Sequence, residues 1–159
     1  LPVGAVHELG PLTDERIEGS KVHTTIQRIR GARDVFPDAP GVIASGFAVE
    51  DGLAAGRELL RAHPEITAVI AQSDLLALGV IRAAEEAGMH VPHDLSVLGF
   101  DGVRIEGAAP YELTTLVQPS VEKGRAAGRA VVAMVEDGEA IPRSFRSELR
   151  IGDTTAPPR

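Results

Sequence analysis

Cysteine is absent, and disulfide frameworks, thiol nucleophiles and cysteine-based zinc sites are absent with it. Tryptophan is also absent, and four Phe and one Tyr are too few for the stacking platforms that hold single-stranded nucleic acid. Basic residues are in deficit: 16 Lys plus Arg stand against 23 Asp plus Glu, a formal net charge of −7. That balance argues against a chain that grips phosphate backbones by itself, which needs a basic stripe. No run approaches the ~18 consecutive apolar residues of a membrane span. The first residues, LPVGAV, lack the basic and apolar regions of a signal peptide. A cytoplasmic location without membrane contact is the expectation. What is present is ordinary globular composition, 43% apolar and 25% charged. The 159 residues suffice for one domain, or for a domain and part of another.

Along the chain a short apolar run, a polar or glycine loop and a longer segment of helical spacing recur. Residues 1–6 hold a short strand candidate weakened by Pro2 and Gly4, and ELGPLTDERIEGSK follows as loop. Val22, Ile26, Ile29 and Phe36 mark a helix that Pro37 and Pro40 stop. Val42 to Ala44 is a strand, Glu50 to Ala62 a helix, and Ile66 to Ala71 the clearest strand of all. Leu75 to Ala87 is helical, with Gly88 placed for a left-handed cap. Leu95 to Leu98 is a strand with GFDG as the loop at its end, and Leu113 to Val117 is another strand. Ser120 caps a helix carrying Val121, Gly124, Gly128, Val131 and Val135 on one face and ending at Gly138. Ser144 to Ile151 is a last strand, and TTAPPR a loose tail. Strands alternating with helices predict an α/β fold with a doubly wound parallel sheet. Ligands then bind beyond the carboxyl ends of the strands. Ser45 to Phe47, Gln72 to Asp74 and Asp101 fall there.

Asp74 directly precedes an apolar-periodic helix and reads as its N-cap, with Ser73 at the crevice mouth. Asp101 has two readings, a turn residue bonded to its own loop or a carboxylate acceptor for ligand hydroxyl and N–H groups. Arg28, Arg30 and Arg33 read as a solvated helix face, and at most one or two can enter a cleft, because a two-residue step turns roughly 200°. His7, His23, His63, His90 and His93 show no ligand spacing, so no metal is expected. No phosphate loop, no G-x-S-x-G and no G-x-G-x-x-G after a strand is present. Nothing assembles a nucleophile, base and orienting group, so neither an enzyme nor a cofactor is expected. GRAAGRA in the last helix reads as a packing feature.

Three segments carry a family resemblance: QSDLLALGV at 72–80, HVPHDLSVLGFDG at 90–102, and TTLVQP at 114–119 with Glu122 and Gly124 beyond it. They resemble the effector-binding core of the lac repressor family of bacterial transcription regulators. Order, spacing and wording match over residues 66–124 and more weakly toward both ends. The resemblance implies a periplasmic-binding-protein-like fold of two α/β lobes, here a type I lobe. It also implies a small effector, with sugars the common class and nucleobases also found, and a homodimer. Operator DNA would be bound through an N-terminal helix-turn-helix that these residues do not include. A solute-binding protein of a transporter is the alternative, and the wording VPHDLSVLGFD favours the regulator.

Carried over position by position, the family's effector-contacting Arg of R-x-x-G falls on Arg28 and its pocket aromatic of F-x-x-E-x-G on Phe47. Its Asn at the helix start falls on Ser73, and the Asp of G-F-D on Asp101. Ser73 departs from the family's Asn and loses an amide able both to donate and to accept. The stretch from Gly10 to Arg28 is longer than the family's. The resemblance divides the chain into the second lobe (1–118), a helix that in the family packs in the first lobe (119–142), and a last strand and tail returning to the second lobe (143–159). The valine row on that helix is then expected to fold back onto this lobe or to be covered by a second copy. The family's dimer surface falls on Leu75 to Arg82 and Arg104 to Tyr111. Leu75 and Leu78 are the candidate contacts there, or else cover a neighbouring loop.

Overall fold

The structure is a computed structural model and describes residues 8–157 apart from 21, 106, 107, 109, 137, 140 and 141. In chain order it runs β1 (Gly10–Pro11), α1 (Asp14–Glu18), α2 (His23–Val35), β2 (Val42–Ile43) and α3 (Val49–Ala62). Then come β3 (Ala68–Ile70), α4 (Asp74–Glu86), β4 (Ser96–Asp101), β5 (Thr114–Val117), α5 (Ser120–Glu136) and β6 (Glu148–Arg150). The strand expected at residues 1–6 lies outside the described residues.

The β-branched runs pair as expected in part. β3, β4 and β5 are parallel neighbours, with Val69 opposite Val97 and Gly99 opposite Thr115. β6 is antiparallel, Val117 opposite Glu148 and Thr115 opposite Arg150. The sheet is thus mixed rather than wholly parallel. The reason is visible in the register: the chain leaves β5 at its carboxyl end and re-enters beside that same end, without crossing to the other. Val42–Ile43 does not join this sheet among the described residues but pairs antiparallel with β1. The loop expected over 8–21 contains β1 and α1, whose first turn is capped by the Thr13 hydroxyl accepting from the Arg16 N–H. GFDG is not a loop either, since Gly99, Phe100 and Asp101 continue β4.

α4 is the buried centre. Leu76, Ala77, Leu78, Gly79, Val80, Ile81, Ala83 and Ala84 are all buried, which leaves only a narrow exposed strip. Ile81, Leu95 and Val97 are fully enclosed, and burial of each such side chain contributes ~1.5–3 kcal/mol. Leu78 is 4% exposed and belongs to the interior, so it is not a surface contact as expected; Leu75, at 40%, stays exposed. α3 crosses α4 at very close range through glycines. A Cβ on Gly79 would lie 2.3 Å from the Val49 carbonyl oxygen and 2.4 Å from the Leu53 nitrogen. One on Gly52 would lie 2.5 Å from the Leu76 carbonyl oxygen.

α5 is the opposite case. None of its described residues is buried, and Val121, Val131, Val132, Met134 and Val135 are exposed. The valine row does not fold back onto the lobe. A Cβ added to Gly124 or Gly128 would meet nothing within 4 Å, so the glycines of GRAAGRA pack against nothing among the described residues. Past Arg150, the segment 152–156 is no loose tail. Thr154 is fully buried, its hydroxyl donates to the Val97 carbonyl at 2.7 Å, and its own carbonyl accepts from the Val97 N–H at 2.7 Å.

Two glycine substitutions therefore have opposite outcomes. Gly79→Ala forces backbone apart and is expected to lower stability by ~1–3 kcal/mol, the usual range for overpacking. Gly124→Ala adds a methyl in open space within a helix and is expected to raise it by ~0.5–1 kcal/mol. Urea denaturation of the two variants beside the parent measures both.

Candidate functional site

The carboxyl ends of β3, β4 and β5 meet the N-terminus of α4, and the polar residues there form two connected groups. The inner group centres on Asp74, which is 1% exposed. Its Oδ1 accepts from the Thr115 hydroxyl at 2.5 Å and its Oδ2 from the Val103 N–H at 2.6 Å. Gly99 makes this possible, since a Cβ there would crowd directly onto Asp74 Oδ1. Burial pushes the Asp74 carboxyl above its ordinary range. Hydrogen bonds from Thr115, Val103 and Gly102 pull it back in part, and the charge of Asp101 adds a small further push upward. Asp74 is not the N-cap of α4 as expected. That place is taken by Ser73, whose Oγ accepts from the Leu76 N–H at 3.3 Å. Both residue types cap well, and the cap falls to Ser73 because the Asp74 side chain points instead into the sheet.

The outer group is built on Asp101. Its φ of 103° lies in the left-handed region, where a non-glycine residue is strained and where Asp is among the better tolerated. Its Oδ1 accepts from Arg28 Nη2 at 3.1 Å and from Gln118 Nε2 at 2.6 Å. Arg28 also donates through Nη1 to the Gln72 carbonyl at 2.7 Å, and its guanidinium stacks on Phe100, 4.2 Å from the ring centroid. Gln118 Oε1 in turn accepts from Lys123 Nζ at 2.6 Å, on the first turn of α5. Arg28 and Asp101 are both partly exposed, so the group faces outward while Asp74 does not. The Asp101 carboxylate is thus held by distant side chains and not by its own loop, as a turn residue's would be.

Of the sequence-predicted residues, Arg28 and Asp101 are brought into contact and Ser73 stands one residue from the carbonyl that Arg28 binds. Phe47 is half exposed, and Arg28 uses Phe100 rather than Phe47 as its ring. Arg33 pairs instead with Asp14 of α1. Gln118, Phe100 and Lys123 join the group without having been expected there. Gln118 has a sequence signal, as the Gln of TTLVQP, and Phe100 stands in GFDG; Lys123 has none. Two open concavities elsewhere, one along α3 and α4 at Arg57 and Glu86 and one along α5 at Arg125 and Arg129, are lined by other residues. Among the described residues no group of three or more His, Asp or Glu is placed to hold a metal ion.

The sequence model of the periplasmic binding protein-like domain matches residues 7–155. The chain belongs to that family. It is 33% identical over 156 residues to the HTH-type transcriptional regulator IpsA of Corynebacterium glutamicum, covering 93% of this chain and 43% of that protein. Its fold superposes on the crystal structure of a LacI family transcriptional regulator from Corynebacterium glutamicum with a TM-score of 0.80 and 32% identity, over 94% of this chain and 46% of the other. A LacI family regulator from Arthrobacter, solved in complex with lactose, gives a TM-score of 0.62 at 28% identity over 71% of this chain and 44% of the other. The periplasmic-binding-protein-like α/β lobe and the likeness to lac repressor-type regulators are thus both established. The chain spans less than half the length of these relatives.

Asp74 yields the prediction here. Asp74→Ala strands the Thr115 hydroxyl and the Val103 N–H and is expected to cost about 1–3 kcal/mol. Asp74→Asn keeps an acceptor for Val103 while the Thr115 hydroxyl turns to accept, so it costs less. The raised Asp74 pKa means that the native state holds the proton more tightly than the unfolded chain. Its contribution is then fully present below the ordinary aspartate range and declines as pH rises through the raised value. In Asp74→Asn that decline is expected to vanish from the pH dependence of the urea midpoint.

Proposed function

We propose that this chain is the effector-sensing part of a LacI-type bacterial transcription regulator, binding a small polar ligand, a sugar, at the Arg28–Asp101 group. The observation that carries the reading is the strained Asp101, fixed by Arg28 and Gln118 through Oδ1 while its Oδ2 receives no hydrogen bond from the described residues. A partly exposed carboxylate held in place with one oxygen unused suits a ligand hydroxyl. Ser73 keeps its hydroxyl hydrogen to donate, because in capping α4 it acts only as acceptor. Phe47 supplies an apolar wall from the loop before α3. The lactose complex of the Arthrobacter regulator supports sugar as the class.

In this reading ligand binding alters how a cytoplasmic homodimer presents helix-turn-helix elements to operator DNA. The division into a lobe (1–118), a helix packing in a first lobe (119–142) and a returning strand (143–159) is supported by α5, which buries nothing, and by β6, which returns to β5. The dimer contact runs along the exposed strip of α4 at Leu75. The regulator relatives favour this role over solute transport and over catalysis.

A thermal-shift screen with lactose, cellobiose, glucose and ribose tests the site, on this chain and on any longer polypeptide that carries it. A ligand specific to the native state adds about 2.7 kcal/mol at 100 times its dissociation constant. Asp101→Asn and Arg28→Met are expected to abolish the shift while leaving a cooperative unfolding transition. An undiminished shift in both places the ligand elsewhere. Leu75→Lys is expected to move the sedimentation profile toward monomer; an unchanged profile removes α4 from the dimer contact.

A further inference from the structure

β6 is the outer strand of the main sheet. It pairs with β5 on one side, and on the other no strand lies against it among the described residues. All three of its residues, Glu148, Leu149 and Arg150, are exposed, and so is Ile151 just beyond them. Such an edge offers unpaired N–H and C=O groups to any further strand, and charged side chains are the usual guard against that pairing. Here the guard has a particular pattern. Glu148 and Arg150 flank Leu149 on either side, and neither is in an ion pair among the described residues. Successive side chains of a strand point to opposite faces, so Glu148 and Arg150 share one face and Leu149 takes the other.

We propose that the β6 edge is a contact surface for a second copy of this chain, the two strands pairing antiparallel about Leu149 so that the two sheets join into one. In that register Glu148 stands opposite Arg150 of the second copy, and Arg150 opposite its Glu148. On the other face Leu149 meets its own counterpart, in line with Leu116, its neighbour on β5. Opposite charges and apolar side chains set across from each other stabilise a strand pair, and like charges there repel. A parallel copy in the same register would oppose Glu148 to Glu148 and Arg150 to Arg150, so the sequence Glu-Leu-Arg is self-complementary in the antiparallel sense. The charges that deter a strand of arbitrary sequence therefore admit this one. A contact of a few residues a side belongs to the weak, transient class, below roughly 1,200 Å² of buried surface. It uses none of the residues of the α4 strip at Leu75, so the two contacts can be lost separately.

Sedimentation velocity over a concentration series tests this, on the chain carrying Leu75→Lys so that the α4 strip does not contribute. Glu148→Arg and Arg150→Glu, both at exposed positions, are each expected to weaken self-association about tenfold, since each turns two attractive pairs into repulsive ones. The double exchange Glu148→Arg/Arg150→Glu keeps the complementarity with its signs reversed and is expected to restore association. An equimolar mixture of the two single variants is expected to associate as well, although neither does so alone. Self-association that both single variants leave unchanged overturns the proposal, and its loss in Val131→Lys would then place the second copy on α5. Association lost in the single variants but not restored by the double exchange also overturns the antiparallel register. A Leu75→Lys chain that stays monomeric at millimolar concentration removes the β6 contact altogether.

Discussion

A single buried carboxylate holds the lobe's functional edge together. Asp74 sits at the first position of α4, and moving such a charge out of water is costly unless polar groups replace the water. Here the Thr115 hydroxyl and the Val103 N–H replace it, with the positive end of α4 adding a favourable field. Each partner belongs to a different element, so α4, β5 and the turn after β4 are fixed to one another at the point where ligands bind in parallel α/β sheets. Gly99 is part of the same constraint, because any side chain there would occupy the space of the carboxylate. The glycine and the aspartate, far apart in the chain, are thus one device.

The outer group inherits its geometry from that device. Asp101 follows Phe100 at the end of β4, and Gly102 beside it lies within 2.8 Å of Val117 when given a Cβ, so the turn cannot relax outward. The strained φ of Asp101 is held from outside by Arg28 and Gln118, two side chains 73 and 17 residues away in sequence. The backbone shares in this hold, since Asp101 pairs with Val117 and its carbonyl accepts from the Gln118 N–H at 3.2 Å. Arg28 is fixed in the same manner, by a carbonyl, a carboxylate and a ring face together.

How much of this is legible in the sequence follows from which forces are local. Helices α3, α4 and α5 and the three parallel strands are readable from apolar spacing, because their periodicity is a local property of the chain. Arg28 and Asp101 are readable through the resemblance, and the structure joins them. The roles of Ser73 and Asp74 are not, since either can cap a helix and only Thr115, 41 positions on, decides between them. The direction of β6 leaves no mark on composition, and the fate of Leu78 depends on what covers it rather than on its place in the helix. Helix α1 escapes a sequence reading although Thr13 carries a capping signal, because its five residues are too few to show a period.

α5 is tied to the site by chemistry while its apolar face is bare. Lys123 holds Gln118 Oε1, and Gln118 Nε2 holds Asp101, so the first turn of α5 and the Asp101 carboxylate share one amide. Beyond this turn nothing in the described chain buries the helix, so little opposes its displacement. The exposed row from Val131 to Val135 is the part that any covering surface would grip. Gln118 is therefore the one side chain among the described residues seen to bond both Asp101 and α5. The two bonds are of equal length, 2.6 Å each, so the amide spans the gap between the end of β4 and the first turn of α5.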